Sequence, residues 1–381
     1  MFDEILTFIR QAHKKNVGFL PLHEPRFLGN EKKYVADAID STFVSSVGEY
    51  VDKAERKLEA LTGAKKAVLF VNGTAALHLS LKLAGVGSDS EVITQALTFI
   101  ATANAIKYCH ADPVFIDVDL DTMGLSPKAL ETFLQDHISL QNGEAVNKKT
   151  GKKIKACVPM HTFGHPCRID EIVEICKRWN IAVIEDAAEA LGSEFKNKKI
   201  GNFGFCSALS FNGNKIITAG GGGALLFNDE KLGARAKHLS TTAKIPHAWD
   251  FKHDEIGYNY RMPNLNAALL LAQLENLEDF LKAKRLLADK TKDFFKDIKD
   301  VEFIQEPKDS RANYWLMALR FSSLEMKDSF LKISNEKGVM TRPIWTLMSE
   351  LEMFKDAQHD SLKNSKLLAE TVVNIPSSVV L

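Results

Sequence analysis

Short apolar runs alternate with stretches of helical period from about residue 64 onward. The runs at 66–71 (KAVLFV), 91–94, 113–118 (PVFIDV), 155–160 and 181–185 (IAVIE) read as strands. Between them the pattern predicts helices opening near Thr74, over 99–108, from a Ser126 cap through 133, and over 170–179. Strands that are apolar on both faces and separated by helices predict a parallel or mostly parallel sheet with helical cover. Two further strands, 207–211 and 223–227, are joined by a loop ending in four glycines, Gly220 to Gly223.

The segment 135–153 is polar and rich in Lys and Asn, and reads as an exposed insertion in a helix-to-strand connection. A long helical pattern leaves the sheet region at Asn264. Residues from about 296 mix short strands and helices around Pro307, Pro343 and Pro376. The expected organisation is an α/β fold in two domains. Residues 1–260 form an N-terminal segment and a large α/β domain; residues 261–381 form the connecting helix and a small C-terminal α+β domain. The opening MFDEILTFIRQAHKK has acids inside its apolar stretch, so it reads as an amphipathic helix rather than a signal peptide.

Composition narrows the classes. A chain of 381 residues suits two domains, and 45% hydrophobic with 26% charged residues is ordinary for a globular protein. The 49 basic residues balance 49 acidic ones, which removes any bulk electrostatic reason to bind nucleic acid or an anionic membrane. The longest apolar run, 267–272, is far below the ~20 residues a membrane helix needs. Five scattered cysteines without CxxC spacing predict reduced thiols and a cytoplasmic setting. His161 and His165 are four apart, but Gly164 and Pro166 argue against a helical zinc pair, so no metal is expected.

Three features carry chemistry, each with an ordinary alternative. Lys215 follows a strand and precedes the glycines; on position alone it is usually only a solvated charge, and its neighbours are what raise it. Ser210 ends that strand, where a hydroxyl can face a phosphate, and the glycines permit close backbone approach to a ligand. Asp186 lies at the C-terminal end of a strand, where α/β sheets place ligands, although Asp186 or Glu185 could simply cap the next turn. Asn72-Gly73-Thr74 opens a helix with free N–H groups, which is either a phosphate site or a plain N-cap. Taken together, a phosphate cradle, a carboxylate for a ring nitrogen and an amine nucleophile are the requirements of pyridoxal 5'-phosphate.

In that order and spacing, NGTAALHLSL, TFIATANAI, PVFIDVD, EDAAEALGS, SFNGNK and GYNYRMPNLNAA resemble the DegT/StrS family of sugar-nucleotide aminotransferases over nearly the whole chain. The resemblance implies a fold-type-I pyridoxal-phosphate enzyme. It implies that Lys215 bonds covalently to the cofactor, that Asp186 meets the pyridine nitrogen and that Phe99 stacks on the ring. Gly73, Thr74 and Ser210 would hold the phosphate, and Asn259 would reach the phosphate of a neighbouring subunit in a homodimer. His161 is implied to lie near the cofactor. Glu189 stands where many members carry Gln or His, and is retained as a site residue. The wording, FVSSVGEYVDKAE included, is most similar to the branch that aminates 4-keto-6-deoxy N-acetylhexosamine nucleotides for nonulosonic acids such as legionaminic acid. Glutamate is the implied donor, and a UDP- or GDP-linked 4-keto-6-deoxy-2-acetamido sugar the acceptor. Two alternatives share the fold: a sugar dehydratase, whose pattern replaces the lysine by histidine, and a non-catalytic regulatory relative. Trp345 and the Asn313-Tyr314-Trp315 cluster are candidates for a sugar or nucleobase pocket, but aromatic residues in a small domain are more often core, and they are left out of the site.

Overall fold

The computed structural model describes residues 1–380. A nine-stranded sheet forms its centre. The main path runs, in spatial order, Lys66–Phe70, Gly223–Phe227, Cys206–Ser210, Ala182–Asp186, Lys153–Val158, Ser90–Gln95 and Asp112–Ile116. Only Gly223–Phe227 runs against both its neighbours along this path; the remaining pairs are parallel. The expected mostly parallel α/β sheet is present. Its strands are buried nearly throughout because helices such as Gly73–Leu83 and Ile169–Arg178 cover the faces. With parallel strands in the centre, their C-terminal ends gather at one rim of the sheet.

The polar stretch expected to be an exposed insertion is largely exposed, and it forms a hairpin that joins the sheet. Ile138–Gln141 pairs with Glu144–Asn147 across an Asn142-Gly143 turn whose φ values, 52° and 82°, are both positive. Asn-Gly is the pair that a two-residue hairpin of this hand selects. At its far end Asn147 is buried and donates to Glu91 Oε2 at 2.7 Å and Gln358 Oε1 at 2.9 Å, satisfying a carboxylate that would otherwise be stranded in a central strand.

The long helical pattern after Asn264 divides into Asn264–Glu275 and Leu277–Phe295. At the joint, the Asn276 side chain donates to the Ala272 carbonyl at 3.0 Å, competing with the helical ladder. A smaller antiparallel sheet follows, with Val372–Ile375 between Met317–Phe321 and Arg342–Pro343. Alternation gives it two different faces. Met317, Leu319, Val373 and Ile375 pack with the amphipathic helix Phe2–Ala12, through Ile5, Leu6 and Ile9. Ala318 and Val372 face the core of the large sheet. All five cysteines are free and buried, and no helix of the described residues is long and apolar enough to cross a membrane.

Candidate active site

A cavity of about 680 Å³ opens where the large sheet's strand ends meet the small sheet. Gly73, Thr74, Phe99, Asp186, Glu189, Ser210 and Lys215 all line it. Seven positions spread over much of the chain are thus brought to one surface by the parallel strands, each delivering its following loop to the same rim.

One end is a cradle for an anion. Asn72 caps the helix Gly73–Leu83, its Oδ1 accepting from Ala75 N at 2.8 Å. The N–H groups of Gly73 and Thr74 have no acceptor among the described residues and form the positive end of the helix. Ser210 stands beside them, close enough that a Cβ on Gly73 would come within 3.2 Å of its Cβ. Gly223 permits this approach: a Cβ there would stand 2.6 Å from Gly73 N.

Neighbouring carboxylates at the end of Ala182–Asp186 point to opposite faces and do different work. Glu185 turns into the protein and accepts from the N–H groups of Gly201, Phe203 and Gly204 at 2.7–3.0 Å. Asp186 turns to the cavity. Its Oδ2 accepts from Thr102 Oγ1 at 2.6 Å and its Oδ1 from Ala188 N at 3.2 Å. Burial pushes its pKa up, against the opposing pull of Thr102, Ala188 and the Lys215 charge. Such a carboxylate gains most from a cationic N–H placed opposite it.

Lys215 reaches in from the loop after Cys206–Ser210, closed at its base by Phe211 N to the Gly222 carbonyl at 2.9 Å. Its Nζ lies 3.2 Å from Glu189 Oε1 and 3.7 Å from the centroid of the Trp315 ring. Trp315 in turn donates from Nε1 to the Asn214 carbonyl at 2.7 Å, so one indole both floors the amine and fixes its loop. Glu189 Oε2 accepts from Phe163 N at 2.8 Å. Phe163 has a left-handed φ of 57°, strained backbone of the kind that is stored beside functional sites.

Burial pushes Glu189 up from 4.5 to about 7, opposed by Lys215. The native protein therefore keeps a proton that the unfolded chain has released, and stability falls as pH rises between those values, by up to about 3 kcal/mol. Glu189→Gln, which cannot ionise, is expected to flatten that slope. Urea midpoints of the cofactor-free protein at pH 5 and pH 8 check this; parallel pH dependence in wild type and variant would contradict it.

Some expectations change. The His161 ring does not line the cavity: it is fully buried between Glu185, at 3.3 Å, and Cys167, and only its backbone N–H touches the site by donating to the Asp186 carbonyl. Trp315 and Trp345 are cavity walls rather than plain core. Asn313 braces the loop beneath, donating to the carbonyls of Glu189 and Leu191 at 2.8 and 2.9 Å. Thr102, unrecognised in the sequence, sits one turn into the helix Ile100–Tyr108; its motif TFIATANAI was legible but the hydroxyl's partner was not. Asn259 is exposed, pairs with Thr241 and lies outside the cavity of its own chain.

The residues present fit pyridoxal phosphate: unpaired N–H groups and a hydroxyl at one end, a buried carboxylate, a lysine amine, and Phe99 left 51% exposed on the wall where a flat ring would cover it. Fold and cavity thus place the molecule among the pyridoxal-phosphate-dependent aminotransferases. The sequence matches the DegT/DnrJ/EryC1/StrS aminotransferase family over residues 27–381, and the chain belongs to that family. It is 37% identical over 359 residues to GDP-perosamine synthase of Escherichia coli O157:H7, covering 94% of this chain and 93% of that one. The fold matches a DegT DnrJ EryC1 StrS aminotransferase from Brucella abortus with a TM-score of 0.83 at 25% identity, covering 91% and 90% of the two chains. It also matches Spr1654 of Streptococcus pneumoniae in its PLP form, with a TM-score of 0.84 at 22% identity over 94% and 93% of the chains.

Proposed function

We propose that the enzyme moves an amino group from L-glutamate to C4 of a nucleotide-linked 4-keto-6-deoxy-2-acetamido sugar, for a bacterial nonulosonic acid such as legionaminic acid. The observation that carries the aminotransferase chemistry is the meeting of Lys215 and Asp186 in one cavity beside the Gly73-Thr74-Ser210 cradle. The cofactor, when bound, supplies an electron-accepting ring that carries the amine between donor and acceptor. Gly73 and Thr74 N–H groups and the Ser210 hydroxyl hold its phosphate; Phe99 covers one face of its ring. Asp186 keeps the ring nitrogen protonated, with Thr102 fixing the carboxylate's rotamer. Lys215 would hold the cofactor through its amine and serve as the proton carrier beside it, with Glu189 and the Trp315 face placing that amine. A lysine at this position disfavours the dehydratase reading, whose pattern carries histidine, and the intact set disfavours a non-catalytic role.

The relatives named GDP-perosamine synthase keep a GDP-linked acceptor in view beside a UDP-linked one. Glutamate alone should convert the bound cofactor's absorbance to the amine form, and a panel of UDP- and GDP-linked 4-keto-6-deoxy sugars should include one that restores it. Restoration by simple keto acids and by no sugar nucleotide would make this an amino-acid transaminase.

The working unit is a homodimer with shared sites. Trp249, Phe251 and Ile256 are 76–88% exposed on the segment leading to Asn259, an apolar surface that a second copy would cover. Light scattering of the cofactor-loaded enzyme should give twice the chain mass, and an active monomer at assay concentration would refute the shared site.

A further inference from the structure

Lys284, on the helix Leu277–Phe295, is fully buried with no carboxylate to pair with among the described residues. Burial pulls its pKa down to about 7. A methionine or leucine would fill the same space without that cost, so packing does not account for an amine here. Its Nζ donates to the carbonyls of Trp315, at 3.2 Å, and Ser377, and lies 3.2 Å from His23 Nε2. Two N–H donors suffice for the two carbonyls, so an ammonium and a neutral amine make the same ties; His23 accepts from the first and donates to the second. The Trp315 tie leads to the cavity. Tyr314, just before it, has a left-handed φ of 49°, which a bulky residue holds only when its surroundings enforce it. Around that turn Trp315 N donates to Asn313 Oδ1 at 2.8 Å, and Lys284 takes the Trp315 carbonyl on the other side. The indole, gripped through its backbone, meets Lys215 twice. Its Nε1 donates to the carbonyl of the peptide bond joining Asn214 to Lys215, and its ring centroid lies 3.7 Å from Lys215 Nζ.

We infer that Lys284 is a positioning residue for Lys215, acting through Trp315. This rests on the reading of Lys215 as the amine that bonds the cofactor, and deepens it. Lys284 does not itself line the cavity; Trp315 does. Without the N–H groups of Lys284 the Trp315 carbonyl loses a buried donor, the strained turn at 313–315 can relax, and the indole that orients Lys215 tilts with it. The cradle of Gly73, Thr74 and Ser210 and the carboxylate of Asp186 are not held by this line of contacts. Holding the phosphate-bearing ring and bonding it are therefore separable. Bonding joins the Lys215 nitrogen to the cofactor's aldehyde carbon, and the aldehyde oxygen leaves as water with the amine's two protons. Only that step depends on Lys284.

The test uses the full-length chain stripped of cofactor, and two probes. Pyridoxamine phosphate offers the same ring and phosphate without an aldehyde, so it reports the cradle. Pyridoxal phosphate also reports Lys215, through the rise of its yellow band. In Lys284→Met the capture of pyridoxal phosphate should slow about 10- to 100-fold, the scale of a reacting group displaced by about an ångström. The Kd for pyridoxamine phosphate should stay within about 2-fold of wild type. Trp315→Phe, which keeps a ring but loses the Nε1 donor, should show the same split. If the two residues act in one line, the double variant is no more than about 2-fold slower than the slower single one. Unchanged capture in Lys284→Met, or losses that multiply in the double variant, would overturn the inference. Equal weakening of both probes in a folded variant would make Lys284 a purely structural residue and overturn it too. Should Lys284→Met be unfolded by circular dichroism, Lys284→Gln, one bond shorter, carries the same comparison. Capture by wild type on another lysine would remove the role of Lys215 and this inference with it. Capture on Lys215 that ignores the variant removes only the role of Lys284, so the two readings fail separately.

Discussion

Lys215→Ala is expected to retain the cofactor but to lose turnover by roughly 1000-fold or more, the combined scale of a covalent amine and a proton carrier. Retention follows from the cradle, since Gly73, Thr74, Ser210 and Asp186 do not depend on the lysine for their positions. The substitution also frees Glu189, whose carboxylate loses its 3.2 Å partner and becomes still harder to ionise. Borohydride treatment of the yellow wild-type enzyme should fix the cofactor onto Lys215, with peptide mapping as the readout. A label on another lysine, or on none, would sink the assignment.

Asp186→Asn should cost at least ~100-fold in turnover, the usual scale for removing one preorganised electrostatic group. The amide keeps the shape and can still accept from Ala188 N through Oδ1, so the fold should survive, with thermal melting close to wild type. What it lacks is the charge that raises the ring nitrogen's pKa. Near-normal turnover would reduce Asp186 to the turn cap that its bond to Ala188 also makes it.

The parallel sheet was legible because buried strands such as Lys66–Phe70 leave uninterrupted apolar runs that need helices on both faces. As candidates, Asp186, Gly73, Thr74 and Ser210 were legible because each sits at a strand end or helix start, and Lys215, in the loop between two strands, because of its order with them and the resemblance that order carries. The sequence could not divide labour between Glu185 and Asp186, since one residue of register decides which side chain enters the cavity. The hairpin at 138–147 was obscured by its polar residues and by the lysines that follow it, though Asn142-Gly143 carried the turn signal. His161 meets the site's edge through its backbone while its ring serves Glu185, a division the sequence does not display.

Amine transfer from glutamate to C4 of a nucleotide-linked sugar can be followed with ¹⁵N-labelled glutamate, a UDP- or GDP-linked 4-keto-6-deoxy sugar and NMR of the product. The expected product carries ¹⁵N bonded to C4 of the sugar nucleotide, and Lys215→Ala should transfer none. Label appearing only in amino acids, or a product that has lost a hydroxyl and gained no nitrogen, would contradict it.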